Sequence, residues 1–460
     1  MMDLKNLKSI FFLGIGGIGM SALARYFKYM GVIVSGYDRT PTTLTDQLIA
    51  EGMDIHFSED PDLLPFQPDL VIYTPAIPKD HPAFMFYRER GILMKKRAEI
   101  LGHITKKGKT VAVAGSHGKT TTATLITHIF KMAGLDFMAF LGGISKNYGT
   151  NFIFSQPHHL TTSPPYYIVE ADEYDKSFLH LHPHVALITS ADADHLDIYG
   201  GLDELRKSFS DFAGNVKEGG TLIIKLALDL SLKDGNRFSV FTYETERSAD
   251  YHAENLEVKK GNYLFDLKTP TGIIGKISVG IPGRFNLENA IGASAVAHQM
   301  GIKDEVIRES LLTYQGVKRR FDFQIKRADF IYMDDYAHHP EELKACISAV
   351  KEIYPGKKIT GVFQPHLYSR TRDLADDFAR SLEFLDEIIL LDIYPARENP
   401  IPGVDSSMIL DKIRTHRKSL CTKEKLPGEL MARRPEVLLT LGAGDIDQLV
   451  EPIKQLFENN

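Results

Sequence analysis

Residues 115–121 read Gly-Ser-His-Gly-Lys-Thr-Thr, and each residue type there answers a need of a bound triphosphate. Gly115 and Gly118 let the backbone bend so that successive N–H groups, those of Ser116 and His117 included, converge on an anion, and Lys119 adds a mobile positive charge. Thr120 or Thr121 can offer a hydroxyl to Mg2+. The spacing is G-x-x-G-K-T-T; the longer G-x4-G-K-[ST] pattern is not met, because its first glycine would fall on Val113. Downstream, Glu170-Ala171-Asp172-Glu173-Tyr174-Asp175 gathers carboxylates, and Asp192, Asp194 and Asp197 flank His195. Hard cations take oxygen ligands beside phosphates, so Glu170 is the best-placed Mg2+ ligand. His195 is a candidate for a second metal or for orienting a substrate.

Those groups need elements to hold them. The apolar run Val111–Ala114 predicts a buried parallel strand ahead of the glycine loop, with helix-forming residues after it. Tyr166–Val169 and Val185–Thr189 predict two more strands, each delivering its acidic cluster at the carboxyl end. Earlier in the chain, Ser9–Leu13 reads as a strand, Gly14-Ile15-Gly16-Gly17-Ile18-Gly19 as a turn, and Met20–Met30 as a helix. This G-x-G-x-x-G pattern reports a diphosphate near a helix N-terminus, and Asp38, at the end of a second strand, is placed for a ribose hydroxyl. Asp69–Thr74 is a further strand, leading into the turn Pro75-Ala76-Ile77-Pro78. Residues 219–280 read as short alternating segments with glycine turns, an antiparallel extension of the main sheet. Asn286 and Asn289 lie one turn apart on an alanine-rich helix, as caps or as readers of a base. In the last third, strands at Phe330–Met333, Ile359–Phe363, Glu387–Leu391 and Val437–Leu441 end in polar loops. These loops carry Asp334, Asp335, Tyr336, His338 and His366, and the arginines concentrated there, Arg370, Arg372 and Arg397, read as a clamp for a carboxylate or phosphate.

The basic joints Lys106–Lys109 and Gly316–Arg320 divide the chain into residues 1–108, 109–318 and 319–460. The fold expected is α/β in three domains: a Rossmann-like N-terminal domain, a central phosphate-loop ATPase-like domain with a mostly parallel sheet, and a C-terminal α/β Rossmann-like domain. A chain of 460 residues with 43% apolar content can bury cores of that number and size. A net charge of -6 and the lack of any run of five like charges argue against nucleic acid as a partner. Cys346 and Cys421 are the only cysteines, in no metal or redox spacing. No apolar run approaches the ~20 residues of a membrane-crossing helix, and the N-terminus has no signal-type cleavage site. A cytoplasmic enzyme acting on small molecules, with no membrane partner, is expected.

The motifs G-S-H-G-K-T-T, E-A-D-E-x-D, D-H-L-D, G-V-K-R-R-F-D, D-D-Y-A-H-H-P, Q-P-H-x-Y-S-R-T and G-A-G-D follow the Rossmann-like turn in this order over essentially the whole chain. Taken together, the set resembles the Mur ligases of peptidoglycan synthesis. D-D-Y-A-H-H-P with G-V-K-R-R-F-D is similar to members that add L-alanine to UDP-N-acetylmuramate. The resemblance implies an ATP-dependent amide ligase working through an acyl phosphate. Gly14–Gly19 would take the diphosphate of the UDP-sugar, and Gly115–Thr121 the ATP phosphates. Lys119, His195 and Arg320 would be catalytic; Thr120 or Thr121 with Glu170 would ligate one Mg2+, and His195 a second. Asn289 would read adenine, Arg320 would reach the γ-phosphate and Asp335 would orient the nucleotide. Tyr336, His338 and Arg370 would face the amino acid. A monomer or homodimer is expected.

The chain departs from the family pattern at four places. Ser190 and Asp192 stand where T-N-x-E-x-D-H has an amide and a longer carboxylate. Phe285 replaces the histidine of G-x-H-N, and Leu367 replaces an arginine of Q-P-H-R-Y. No lysine aligns with the carbamylated metal ligand of some members, Lys207 lying too close to His195. Three other readings stay open from residues alone. They are a ligase that joins a preformed tripeptide to the same UDP-sugar, a nicotinamide-dependent oxidoreductase built on Gly14–Gly19, and a non-catalytic nucleoside triphosphatase.

Overall fold

In the computed structural model, residues 4, 6–60, 62, 64–65, 67–155, 165–192, 199, 201–232, 237–259, 262–396 and 398–458 are described. The chain forms two compact units, residues 1–256, 265–278 and 288–314 in one and 257–264, 279–287 and 315–460 in the other. It carries three sheets, one for each α/β domain.

The first sheet is all parallel, with strands β1 Ser9–Leu13, β2 Ile33–Tyr37, β3 Asp54–His56, β4 Leu70–Tyr73 and β5 Met94–Lys96 in the order β3-β2-β1-β4-β5. Strand order reverses beside β1, and the glycine turn follows β1 at its carboxyl end, where doubly wound sheets bind ligands. Met30 ends the helix Ile18–Tyr29 and Gly31, at φ +82°, lets the chain turn into β2.

The second sheet has ten strands in the order β15-β14-β13-β12-β11-β10-β6-β9-β7-β8. They are β6 Lys109–Ala114, β7 Phe137–Phe140, β8 Phe152–Phe154, β9 Tyr166–Ala171, β10 Val185–Ile188, β11 Thr221–Lys225, β12 Ser239–Glu244, β13 Tyr251–Lys259, β14 Asn262–Thr269 and β15 Gly272–Ser278. The central strand β6 is flanked in parallel by β9 and β10 and is buried from Thr110 onward, as the unbroken apolar run predicts. The extension differs from expectation: β11, β12 and β13 join in parallel. The connection 226–238 is long enough to return the chain to the same edge of the sheet. Beyond these three strands, β14 and β15 continue the same edge of the sheet.

These two sheets share one apolar core. Tyr26 on the first helix packs on Phe140 and Phe152 at ring distances of 5.5 and 6.0 Å. Arg25, only 5% exposed, bonds both Glu51 and the buried Asn151, whose amide reaches Ile18 O at 2.7 Å. The polar joint near Lys106–Lys109 therefore connects two layers that are packed together.

The third sheet has β16 Asp322–Lys326, β17 Ile331–Asp335, β18 Ile359–Phe363, β19 Glu387–Leu390, β20 Lys418–Leu420 and β21 Val437–Leu441 in the order β16-β17-β21-β18-β19-β20. All neighbours are parallel except the edge strand β16. Apolar clusters cover both faces, so the carboxyl ends of β17, β18 and β21 are where polar loops can gather. Among the described residues no helix is long and apolar enough to cross a membrane.

Candidate functional site

The glycine loop is shaped by two residues that need no side chain. Gly115 has φ +140° and Gly118 has φ +80°, values that favour glycine. A Cβ on Gly115 would collide with Thr189 Oγ1, and one on Gly118 would sit 2.5 Å from Asn289 Oδ1. Gly118 is also the N-cap of the helix Lys119–Met132. Ser116 N–H donates to Ser190 O at 3.3 Å and His117 N–H to Ser190 Oγ at 2.9 Å. The amides of residues 118–121 find no backbone acceptor among the described residues, so the helix N-terminus presents a row of donors suited to an anion.

Lys119 is anchored in place. Its Nζ lies 2.9 and 2.8 Å from the two oxygens of Glu173 and donates to the carbonyls of Gly115 and Ser116. Burial alone would lower the Lys119 pKa, but Glu173, Asp172 and Glu170 outweigh it and hold the ammonium above its ordinary value. Glu173 is almost fully enclosed, its side chain 2% exposed, and burial raises its own pKa against the pull of Lys119. The two-point contact with an ammonium keeps the pair ionic. Glu170 sits on the other side of the loop: Thr120 Oγ1 donates to it at 3.0 Å and Gly142 N–H at 2.6 Å. Thr121 is held through its backbone, its carbonyl accepting from Tyr314 OH at 3.1 Å. Thr120 and Glu170 are therefore the pair of hard oxygen donors beside the loop. Among the described residues no group of three or more His, Cys, Asp or Glu side chains converges as a metal site, and His195 lies outside the described residues.

Asn289 is 7% exposed and backs directly onto Gly118. Asn286 is committed elsewhere, its amide donating to Pro282 O at 2.7 Å. Ser190 and Asp192, the departures from the family pattern, brace the loop: Ser190 as above, Asp192 through its carbonyl, which accepts from Ser116 Oγ at 2.8 Å.

In the N-terminal turn, the amides of Gly14 and Ile15 donate to Tyr37 O and that of Gly17 to Gly14 O. Gly16 N–H donates to Asp38 Oδ2 at 2.7 Å, so Asp38 closes the turn. Ile18 and Gly19, the first two residues of the helix, keep their N–H groups without a backbone acceptor among the described residues. Arg97 packs on Gly19 so closely that a Cβ there would collide with Nη1, while Nη2 donates to Asp172 at 3.0 Å.

In the other unit, Arg319 and Arg320 both stack on the Tyr336 ring, at 5.1 and 4.9 Å. Asp335 accepts from Phe321 N–H at 2.6 Å and Ala337 N–H at 2.8 Å. Burial raises its pKa to about 6, against the pull of Arg320. Ring contacts then run from Tyr336 to His338 (5.2 Å), His338 to His366 (6.0 Å) and His366 to Tyr394 (5.7 Å). Arg370 stands on the first turn of the helix Tyr368–Leu382, and its Nη1 is buried without a hydrogen-bond partner. A buried guanidinium nitrogen left open is costly unless a ligand answers it. Leu367, the N-cap of that helix, holds φ +73°, an uncommon backbone for a branched residue. Tyr336, His338 and Arg370 thus share one neighbourhood with Arg320 and Asp335.

The residues that sequence reasoning did not single out are Glu173, Arg97 and Tyr394. Glu173 was one of several carboxylates in its cluster. Arg97 had no motif around it.

Three family models match consecutive parts of the chain: the Mur ligase family, catalytic domain, over residues 9–109; the Mur ligase middle domain over 113–297; and the Mur ligase, glutamate ligase domain, over 319–444. The UDP-N-acetylmuramate--L-alanine ligase of Porphyromonas gingivalis is 48% identical over 98% of this chain and 99% of its own length. That of Flavobacterium johnsoniae is 46% identical, with 100% of both chains covered. The solved UDP-N-acetylmuramate-alanine ligase of Thermotoga maritima superposes with a TM-score of 0.83 at 26% identity, covering 99% of this chain and 100% of that one. A murein peptide ligase from Psychrobacter arcticus shares the fold, with a TM-score of 0.74 at 20% identity and 98% and 99% coverage. By these matches along its whole length, the chain belongs to the Mur ligase family.

Proposed function

We propose that this enzyme is the ATP-dependent ligase that joins L-alanine to the lactyl carboxylate of UDP-N-acetylmuramate in peptidoglycan synthesis. The reading is carried by one conjunction: a phosphate loop with an anchored lysine lies in a chain matching alanine-adding ligases from end to end. The lactyl carboxylate attacks the γ-phosphate of ATP, ADP leaves, and the amine of L-alanine then displaces phosphate from the acyl phosphate. Lys119 and the open amides of residues 118–121 would stabilise charge on the transferring phosphoryl group, with Ser116 and His117 completing the loop. Thr120 and Glu170, paired hard oxygens beside the loop, fit Mg2+. Bound there, the ion would neutralise phosphate charge; Thr121 is the less suited hydroxyl, and His195 is proposed for a second ion.

The remaining assignments follow the family positions. The UDP-sugar diphosphate would meet the turn Gly14–Gly19, chiefly at the N–H groups of Ile18 and Gly19. Asn289 would read adenine, while Arg320 and Asp335 would engage the nucleotide. Tyr336, His338 and Arg370 would receive the amino acid, with the open Nη1 of Arg370 for its carboxylate. Domains are proposed at 1–108, 109–318 and 319–460, in a cytoplasmic enzyme. Phosphate release from ATP, with UDP-N-acetylmuramate present and each amino acid or the tripeptide offered in turn, tests the reading. Turnover with L-alanine is expected; turnover with the tripeptide alone would overturn it in favour of the recycling ligase.

A further inference from the structure

The incoming amino acid reaches the enzyme as an ammonium ion, which has no lone pair to attack with, so some group must take a proton from it. His338 has the geometry for that task. Its Nδ1 faces two groups that can only accept: Tyr336 O at 3.1 Å and a carboxylate oxygen of Glu342 at 3.3 Å. Nδ1 must therefore carry the hydrogen, and in the neutral ring the lone pair lies on Nε2. Nε2 has no hydrogen-bond partner among the described residues, and the side chain is 24% exposed, enough to pass a proton on to water. Glu342 is itself fixed, accepting from the backbone N–H groups of His338 and His339 at 3.0 and 3.2 Å. The ring is thus held in one tautomer and one orientation, between Tyr336 and His366.

We propose that His338 is the general base of the ligation step, accepting at Nε2 one proton of the amino acid's ammonium group. The proposal rests on Tyr336, His338 and Arg370 forming the amino-acid site. In the step, the ammonium N–H bond breaks toward Nε2, and the freed amine nitrogen bonds to the acyl-phosphate carbonyl carbon. The C–O bond to phosphate then breaks, and a second N–H proton leaves with the phosphate as hydrogen phosphate. His338 returns its proton to solvent. The charged surroundings suit a base that is neutral near pH 7: burial first, then the nearby Arg370 and Arg320, lower the His338 pKa, while Glu342 and the Tyr336 carbonyl raise it.

The test uses the full-length enzyme with ATP and UDP-N-acetylmuramate, comparing L-alanine with hydroxylamine, a nucleophile that is uncharged near neutral pH and needs no base. Phosphate release is followed across pH. General-base catalysis contributes about 10²–10⁴-fold, so His338→Gln should lose at least about 10²-fold with L-alanine while hydroxylamine turnover falls far less. Glu342→Gln removes the charge that favours the imidazolium, so the acid limb of kcat/KM for L-alanine should move to lower pH. Equal losses with both nucleophiles in His338→Gln, or an unmoved acid limb in Glu342→Gln, would overturn the proposal. Arg370→Ala separates it from the reading beneath it. A raised KM for L-alanine with hydroxylamine turnover retained supports the amino-acid site; an unchanged KM removes that site, and the proposal with it.

Discussion

Replacing Lys119 by alanine should do more than stop the chemistry, because the lysine also neutralises an enclosed carboxylate. Nζ stands 2.8 Å from Glu173 Oε2, with side-chain exposures of 16% and 2%. At an effective dielectric constant of ~20, unit charges at that distance attract by about 6 kcal/mol. Part of this offsets the desolvation of both ions, but removing one partner leaves the other buried and uncompensated, a loss of about 3–5 kcal/mol. Tyr199 OH bonds the Glu173 carbonyl and the following short helix fixes its backbone, so Glu173 cannot simply swing out to water. Lys119→Ala is therefore expected to destabilise the unit by about 3 kcal/mol, and adding Glu173→Gln to it should recover at least half. Glu173→Gln alone should cost less, since Lys119 keeps the carbonyls of Gly115 and Ser116. The assay is a double-mutant cycle in urea followed by far-UV circular dichroism, the chain having no tryptophan. A Lys119→Ala variant within about 0.5 kcal/mol of the parent, or additive single effects, would refute the reasoning.

Arg370→Ala should raise the KM for L-alanine by about 10-fold or more, the range for losing a charged hydrogen bond, and leave the KM for ATP nearly unchanged; equal changes in both would argue against a carboxylate clamp. Thr120→Val should raise the Mg2+ concentration needed for half-maximal activity more than Thr121→Val does, and the reverse order would exchange their roles. Gly118→Ala should cost about 1–2 kcal/mol through its left-handed backbone alone, and raise the KM for ATP through the clash with Asn289; thermal melts and ATP titrations read both. Asp334 is buried, and burial raises its pKa to about 6 despite Arg319 and the Thr440 hydroxyl. The native state then binds this proton more tightly than the unfolded chain, so stability should rise as pH falls through 6 toward 4, by at most about 3 kcal/mol. Asp334→Asn should flatten that slope in pH-dependent urea melts, and an unchanged slope would exclude the group.

What could be read from the chain was chemistry tied to residue type. A glycine at φ +80° followed by Lys-Thr-Thr admits few roles, and β6 and the helix Lys119–Met132 lie where the apolar run and its ending place them. Direction and depth were harder. An alternating pattern reports that one face of a strand is covered, whatever the direction of its neighbour, so β11–β13 were expected to be antiparallel and are parallel. The acidic cluster shows the same limit at the scale of side chains. Glu170 lies on β9 with its carboxylate at the loop, which strand periodicity can anticipate. Glu173 turns inward because the chain leaves the strand there, and Asp175 and Lys176 adopt left-handed backbones at φ 53° and 54°, a turn that no spacing of apolar residues announces. Ser190 looked like the loss of an amide; its hydroxyl instead holds the His117 N–H, a role set by where the end of β10 meets the loop. Motifs thus located the reacting groups, while the partners that hold them in place depend on contacts between strands far apart in sequence. That division is what the Lys119–Glu173 cycle measures, because one member was legible from its motif and the other only from the fold.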